Sequence, residues 1–215
     1  MRTFIREPIN SLTHWFGAFF AVIGLIALVS KALSSGHSGM AVTAVVIFGV
    51  SMILLYSASA TYHMVMAKDK VISFLRRIDH SMIFVLIAGT YTPFCLISLG
   101  GMLGWVLFFV INGLAIAGVI FKLTWFHAPR WLSTAIYLGM GWIAIFFTGD
   151  LAPVLGTGGM TFLILGGAAY TIGGLIYGFK PQSLQLKNWG FHEIFHIFIL
   201  AGSLFHFICI YGYVL

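Results

Sequence analysis

The apolar residues of this 215-residue chain fall in runs of about 20, and each run is long enough to cross roughly 30 Å of hydrocarbon as a helix. Inside lipid every backbone N–H and C=O must find a partner within the protein, so such runs form helices. Charged residues are only 7% of the chain, against about 25% in an average soluble domain. That excludes a disordered chain, a disulfide scaffold and a soluble globular enzyme. The 25 glycines agree, because small residues let membrane helices approach closely. The runs predict an all-α, polytopic membrane protein with seven transmembrane helices, at about 12–32, 41–63, 80–99, 104–123, 131–149, 160–179 and 193–214. Together they fill the chain, so residues 1–215 form a single domain, multi-pass in the cell membrane.

An odd number of spans places the two termini on opposite sides. One side then carries Arg2, Arg6, Lys68, Lys70, Arg76, Arg77, Lys122, Arg130, Lys180 and Lys187, and the other only Lys31. The positive-inside rule makes the N-terminus cytoplasmic and the C-terminus outside. The net charge of +6 then reflects attraction to anionic lipid headgroups and needs no nucleic-acid partner. Arg2 and Arg6 before an apolar run mimic a signal peptide, but the run is long and no clear cleavage site follows, so it reads as the first membrane helix. Cys95 and Cys209 lie in apolar runs and read as small buried hydrophobes rather than a disulfide.

In so apolar a chain, polar groups in or beside the spans carry the information. Glu7, Asn10 and His14 stand at i, i+3 and i+7, on one face if helical. Ser59 and His63 stand at i and i+4 at the end of the second span. Asp79 and His80 open the third, and His192 and His196 stand at i and i+4 at the start of the seventh. Four distant segments thus bring polar groups to one membrane level, on the cytoplasmic side. Taken singly each has a plain structural explanation: a membrane-edge His meets headgroups, and Asp79 after Arg76 and Arg77 can be a surface ion pair or helix N-cap. Two His on one helix face, a third at the same depth and a nearby carboxylate also make a three-nitrogen zinc site, and three protein ligands with one open position is the catalytic pattern. His206 lies about 15 Å further along its helix and reads as structural. Asn112 reads as a helix–helix hydrogen bond, and Pro93 as a kink in the third span.

The pair can be read in two ways. His192-Glu193-Ile194-Phe195-His196 matches H-E-x-x-H, in which Glu193 would be the general base of an intramembrane metalloprotease. No third ligand follows at zincin spacing. The second reading takes its third ligand from His63. Glu7-x2-Asn10-x3-His14, then Ser59-x3-His63 with Asp79, then His192-x3-His196 resemble the three signature motifs of the hemolysin III family, a branch of the progestin and adipoQ receptor superfamily. Asp79-His80 and Ala88-Gly89-Thr90-Tyr91-Thr92-Pro93-Phe94 resemble its bacterial members.

The resemblance implies one Zn2+ held by His63, His192 and His196, with Ser59 and Asp79 around the zinc-bound water, and offers Glu7, Asn10 and His14 as groups behind the ligands. Relatives that cleave a lipid amide at a similar site suggest a zinc-dependent, ceramidase-like hydrolase acting on a membrane lipid, with that water as nucleophile. Asp79 would serve as base then acid and Ser59 would steady the water or the oxyanion. The family name suggests instead a pore-forming or membrane-perturbing hemolysin, or a regulator of membrane energetics, with zinc structural. A pore would require oligomers, and no charged ring or polar helix stripe suits a wide one.

Overall fold

The computed structural model describes residues 5–125, 127–185 and 189–215, and within them every element longer than a turn is a helix. α1 spans Pro8–Ser34, α2 Gly39–Met64, and α3 Asp69–Pro93 with a π-helical continuation over Phe94–Leu99. α4 spans Gly101–Thr124. α5 (Arg130–Trp142) runs through a 3-10 stretch, Ile143–Phe147, into α6 (Thr148–Phe179). α7 spans Phe191–Cys209 and ends in a π turn, Ile210–Val214. Local chemistry sets several of these ends. Pro8 occupies the first turn of α1, where its missing N–H costs nothing, and Ser38 caps α2 by accepting from the Ala41 N–H at 3.3 Å. Pro93 cannot donate into the helical ladder, and a π-helical segment follows it directly.

Six helices among the described residues, not seven, are long and apolar enough to cross a membrane. The runs predicted at 131–149 and 160–179 fall within one 50-residue helical segment, Arg130–Phe179, rather than in two separate helices. The residues expected to separate them, from Asp150 to Gly159, are themselves helical, and the break in backbone angle is confined to Gly156 (φ 60°, ψ −177°), a conformation glycine alone adopts easily. The segment packs back on itself: Trp142 Nε1 donates to Thr171 Oγ1 (3.2 Å), and a methyl at Gly174 would lie 3.0 Å from Leu138 Cδ2. An even count removes the parity argument that placed the C-terminus outside.

Contacts at the helix ends do place the termini at opposite ends of the bundle. The Glu7 N–H bonds the His63 carbonyl (3.0 Å), whereas His37 Nε2 lies 2.8 Å from the Leu215 carbonyl and Lys31 Nζ donates to the Tyr211 carbonyl. The Glu7 end also gathers Arg6, Arg76, Arg77, Lys122 and Arg130, so the lopsided basic distribution is real; Arg2 and Lys187 lie outside the described residues.

α1 packs on α2, α2 on α3, α3 on α4, α6 on α7, and α7 closes against α1. α2 and α3 are the most enclosed, with 50% and 61% of their apolar windows buried against 22–33% elsewhere, so their polar residues face protein rather than lipid. Large apolar side chains such as Phe16, Phe109, Ile116 and Phe146 cover the outer surface, as a lipid-facing wall requires. Cys95 and Cys209 are buried and unpaired. Asn112 Nδ2 donates to the Phe108 carbonyl of its own helix (2.8 Å), so it satisfies itself rather than bridging two helices.

Candidate metal centre

The site lies where the end of α2, the start of α7 and the first turns of α1 meet. His63 and His196 are each 1% exposed. One ring nitrogen from each of His63, His192 and His196 lies within 4.8 Å of the others. His192 Nε2 and His63 Nε2 are 3.4 Å apart. Two nitrogens each about 2.05 Å from a tetrahedral zinc stand about 3.3 Å apart, so this pair already has the edge length of such a site. A direct hydrogen bond between neutral imidazoles would have the same length, and the other side of His63 distinguishes the two. His63 Nδ1 lies 2.7 Å from Glu7 Oε2, which leaves Nε2 as the nitrogen turned to the group. A carboxylate behind an imidazole is the usual support of a zinc ligand, because it fixes tautomer and ring orientation. The donor set fits zinc on this count.

Glu7 is the N-cap residue of α1, and the backbone pairing of residues 6 and 7 with 63 and 64 holds it there. Its carboxyl is held down at about 2, first by the hydrogen bond from His63, against burial, which pushes it up; Asn10 and Arg6 lower it further. Asn10 Nδ2 donates to Glu7 Oε2 (3.1 Å) and to Glu193 Oε1 (2.8 Å), so it ties α1 to α7. The other Glu193 oxygen accepts from the Gly190 N–H at 2.7 Å, which caps α7. Glu193 therefore has both oxygens committed to structure. His14 is buried, outside the three-nitrogen group, and stacked on His196 with centroids 3.6 Å apart and planes 8° apart.

Asp79 does not open its helix. α3 begins at Asp69, so Asp79 lies nearly three turns inside it and is 8% exposed, neither N-cap nor surface ion pair. Ser59 and His63 both lie close enough to its carboxylate to favour its charged form. His80 Nε2 lies 3.3 Å from the Tyr177 hydroxyl and 4.0 Å from Asp79 Oδ2, outside the three-nitrogen group. His206 is buried beneath Tyr170, remote from the centre. Sequence reasoning missed Thr13, whose hydroxyl lies 3.4 Å from His196 Nδ1; a threonine on a helix carries no signal of that role.

The Haemolysin-III related family matches residues 2–207, nearly the whole chain. This chain belongs to the haemolysin III family. It is 39% identical to Hemolysin-3 of Bacillus cereus over 218 residues, which cover 100% of this chain and 95% of that protein. It is 38% identical to the Hemolysin-3 homolog of Bacillus subtilis (strain 168) over 213 residues, 99% of this chain and 96% of the relative. As a haemolysin III protein, and so within the progestin and adipoQ receptor superfamily, it is a multi-pass integral membrane protein whose three-histidine group can hold a metal.

Proposed function

We propose that this haemolysin III protein is a zinc-dependent hydrolase of a lipid amide, with His63, His192 and His196 as the metal ligands. The reading is carried by the three converging imidazoles, one of them backed by Glu7 at 2.7 Å. Zinc held by three neutral imidazoles supplies a Lewis acid that acidifies water and polarises a carbonyl. Asp79 takes the proton of the attacking water and returns it to the amide nitrogen as the C–N bond breaks, so the hydroxyl ends on the acyl carbon and the proton on the amine. Ser59, beside the Asp79 carboxylate, favours its charged form. Glu7 holds His63 in the tautomer that leaves Nε2 unprotonated, and Asn10 steadies Glu7 while tying α1 to α7.

A second reading rests on the name hemolysin carried by the two relatives: the protein perturbs membranes and the histidine centre is structural. The third, a protease with Glu193 as base, is opposed by the two hydrogen bonds that occupy that carboxylate.

The test is metal content of the detergent-solubilised protein, without a His tag, beside a variant with His63, His192 and His196 all changed to Ala, followed by lipid-amide hydrolysis. About one zinc per chain is expected in the parent and none in the folded variant. Asp79→Asn is expected to keep zinc and lose roughly 10²–10⁴-fold in hydrolysis. A parent protein that takes up no metal when zinc is offered refutes the hydrolase.

A further inference from the structure

A cavity of about 320 Å³ opens beside the histidine centre, with His63 and His192 on one wall. Arg76, Arg77, Lys122 and Arg130 line it, and Glu7 is the one carboxylate in its lining. Glu7 is already engaged by His63 and Arg6. Basic residues at the ends of membrane helices ordinarily extend outward to headgroup level. These do not all do so. Lys122 is 8% exposed, and its ammonium donates to the Ser133 hydroxyl at 2.6 Å, a neutral partner. Arg130 lies over the Tyr177 ring at 4.7 Å, and its Nη1 is buried without a hydrogen-bond partner. Neither cation forms a salt bridge among the described residues.

A second observation comes from the backbone. The first turn of α5 lines the same cavity through Arg130 and Ser133, and no side chain caps that helix. A helix N-terminus carries partial positive charge and unpaired N–H groups, so a basic residue there is on the disfavoured end. Arg130 stands in that first turn. A buried lysine, a half-buried arginine with an unpaired nitrogen, an uncapped helix start and a single carboxylate in the lining together describe a site lacking its anion.

We infer that this cavity is an anion subsite that takes the phosphate of a lipid headgroup, so the lipid presented to the histidine centre is a phosphate-bearing acyl lipid rather than a neutral one. The occupant's identity as substrate rests on the hydrolase reading above; the anion subsite does not. Arg130 supplies a planar fork suited to two phosphate oxygens, and Lys122 supplies a point charge held in place by Ser133. The acyl chains stay among the apolar helix faces while the phosphate lies on the cationic wall.

The test is direct binding to the zinc-loaded full chain in detergent. The probes are short-chain phosphatidic acid, diacylglycerol of the same chains, and inorganic phosphate. Phosphatidic acid is expected to bind at least about tenfold tighter than either other probe, a difference of about 1.4 kcal/mol. Lys122→Gln, which keeps a donor for Ser133, and Arg130→Gln are each expected to lose most of that preference while zinc content and monodisperse elution stay unchanged. Equal binding of the two lipids, or a preference that survives both substitutions, overturns the subsite. Inorganic phosphate binding as tightly as phosphatidic acid overturns the headgroup assignment. Headgroup preference without hydrolysis of any lipid amide refutes the hydrolase reading alone, and hydrolysis indifferent to phosphate refutes this inference alone.

Discussion

Glu7→Gln separates a metal-supporting carboxylate from an ordinary helix-end residue. Glu7 Oε2 accepts from His63 Nδ1 at 2.7 Å, a length typical of a bond with a charged partner. Glutamine keeps the size and can still accept through its carbonyl oxygen, so what is removed is the negative charge. A hydrogen bond to a charged group contributes about 1.5–3 kcal/mol and a neutral one about 0.5–1.5 kcal/mol. Water reaches 39% of the Glu7 side chain and screens part of that difference, which places the loss near 1.4 kcal/mol. Zinc affinity should therefore fall about tenfold, the low end of what loss of such a supporting group costs. The assay is competition with a chromophoric zinc chelator at fixed neutral pH, with thermal midpoint and elution profile as checks on folding. Arg6→Gln serves as a control, since Arg6 touches Glu7 (3.2 Å) and no histidine of the group. An affinity within about twofold of the parent would refute the reasoning, being under about 0.4 kcal/mol. Complete loss of zinc, as in His63→Ala, would refute it differently, by making Glu7 itself a ligand.

Three further outcomes follow from the same contacts. Glu193→Gln should retain zinc and change hydrolysis by less than about tenfold, since the carboxylate caps α7 and meets Asn10; an effect in the range of about 10²–10⁴ would make Glu193 the general base after all. His14→Phe should keep the stack on His196 and leave zinc stoichiometry unchanged by elemental analysis, whereas loss of zinc would show that His14 ligates. Gly104→Ala should cost about 1–3 kcal/mol, because its methyl would sit 2.1 Å from the Cys95 backbone oxygen; the melting midpoint should fall by about 2–4 °C per kcal/mol, and an unchanged midpoint would refute that packing.

The helical, membrane-spanning character was legible because it is a local quantity. Transfer of about 20 consecutive apolar residues into lipid is favourable whatever their neighbours do. Helix boundaries for α1, α2, α4 and α7 fell within a few residues of the apolar runs for this reason. The apolar runs at 131–149 and 160–179 belong to one helical segment, because residues 150–155 between them are helical as well and the chain changes direction only at Gly156. α3 was started too late, because Asp69 to Asp79 is polar but still helical, and that error made a buried carboxylate look like a helix cap.

The candidate residues were legible for a related reason. Ionisable groups stand out against an apolar background, and spacings of i and i+4 put His192 and His196 on one face of α7 whatever that helix packs against. Their partners were not legible. Whether His63 meets His192, which nitrogen it turns inward, and whether Glu7 or Glu193 stands behind a ligand depend on how α1, α2 and α7 are rotated and set against one another. Each residue turns a helix face by about 100°, so a small rotation exchanges one neighbour for another without altering hydropathy or spacing. The cavity is a product of packing in the same way: Lys122, Arg130 and His63 come from separate helices, and only the folded bundle sets these two cations beside His63 and His192.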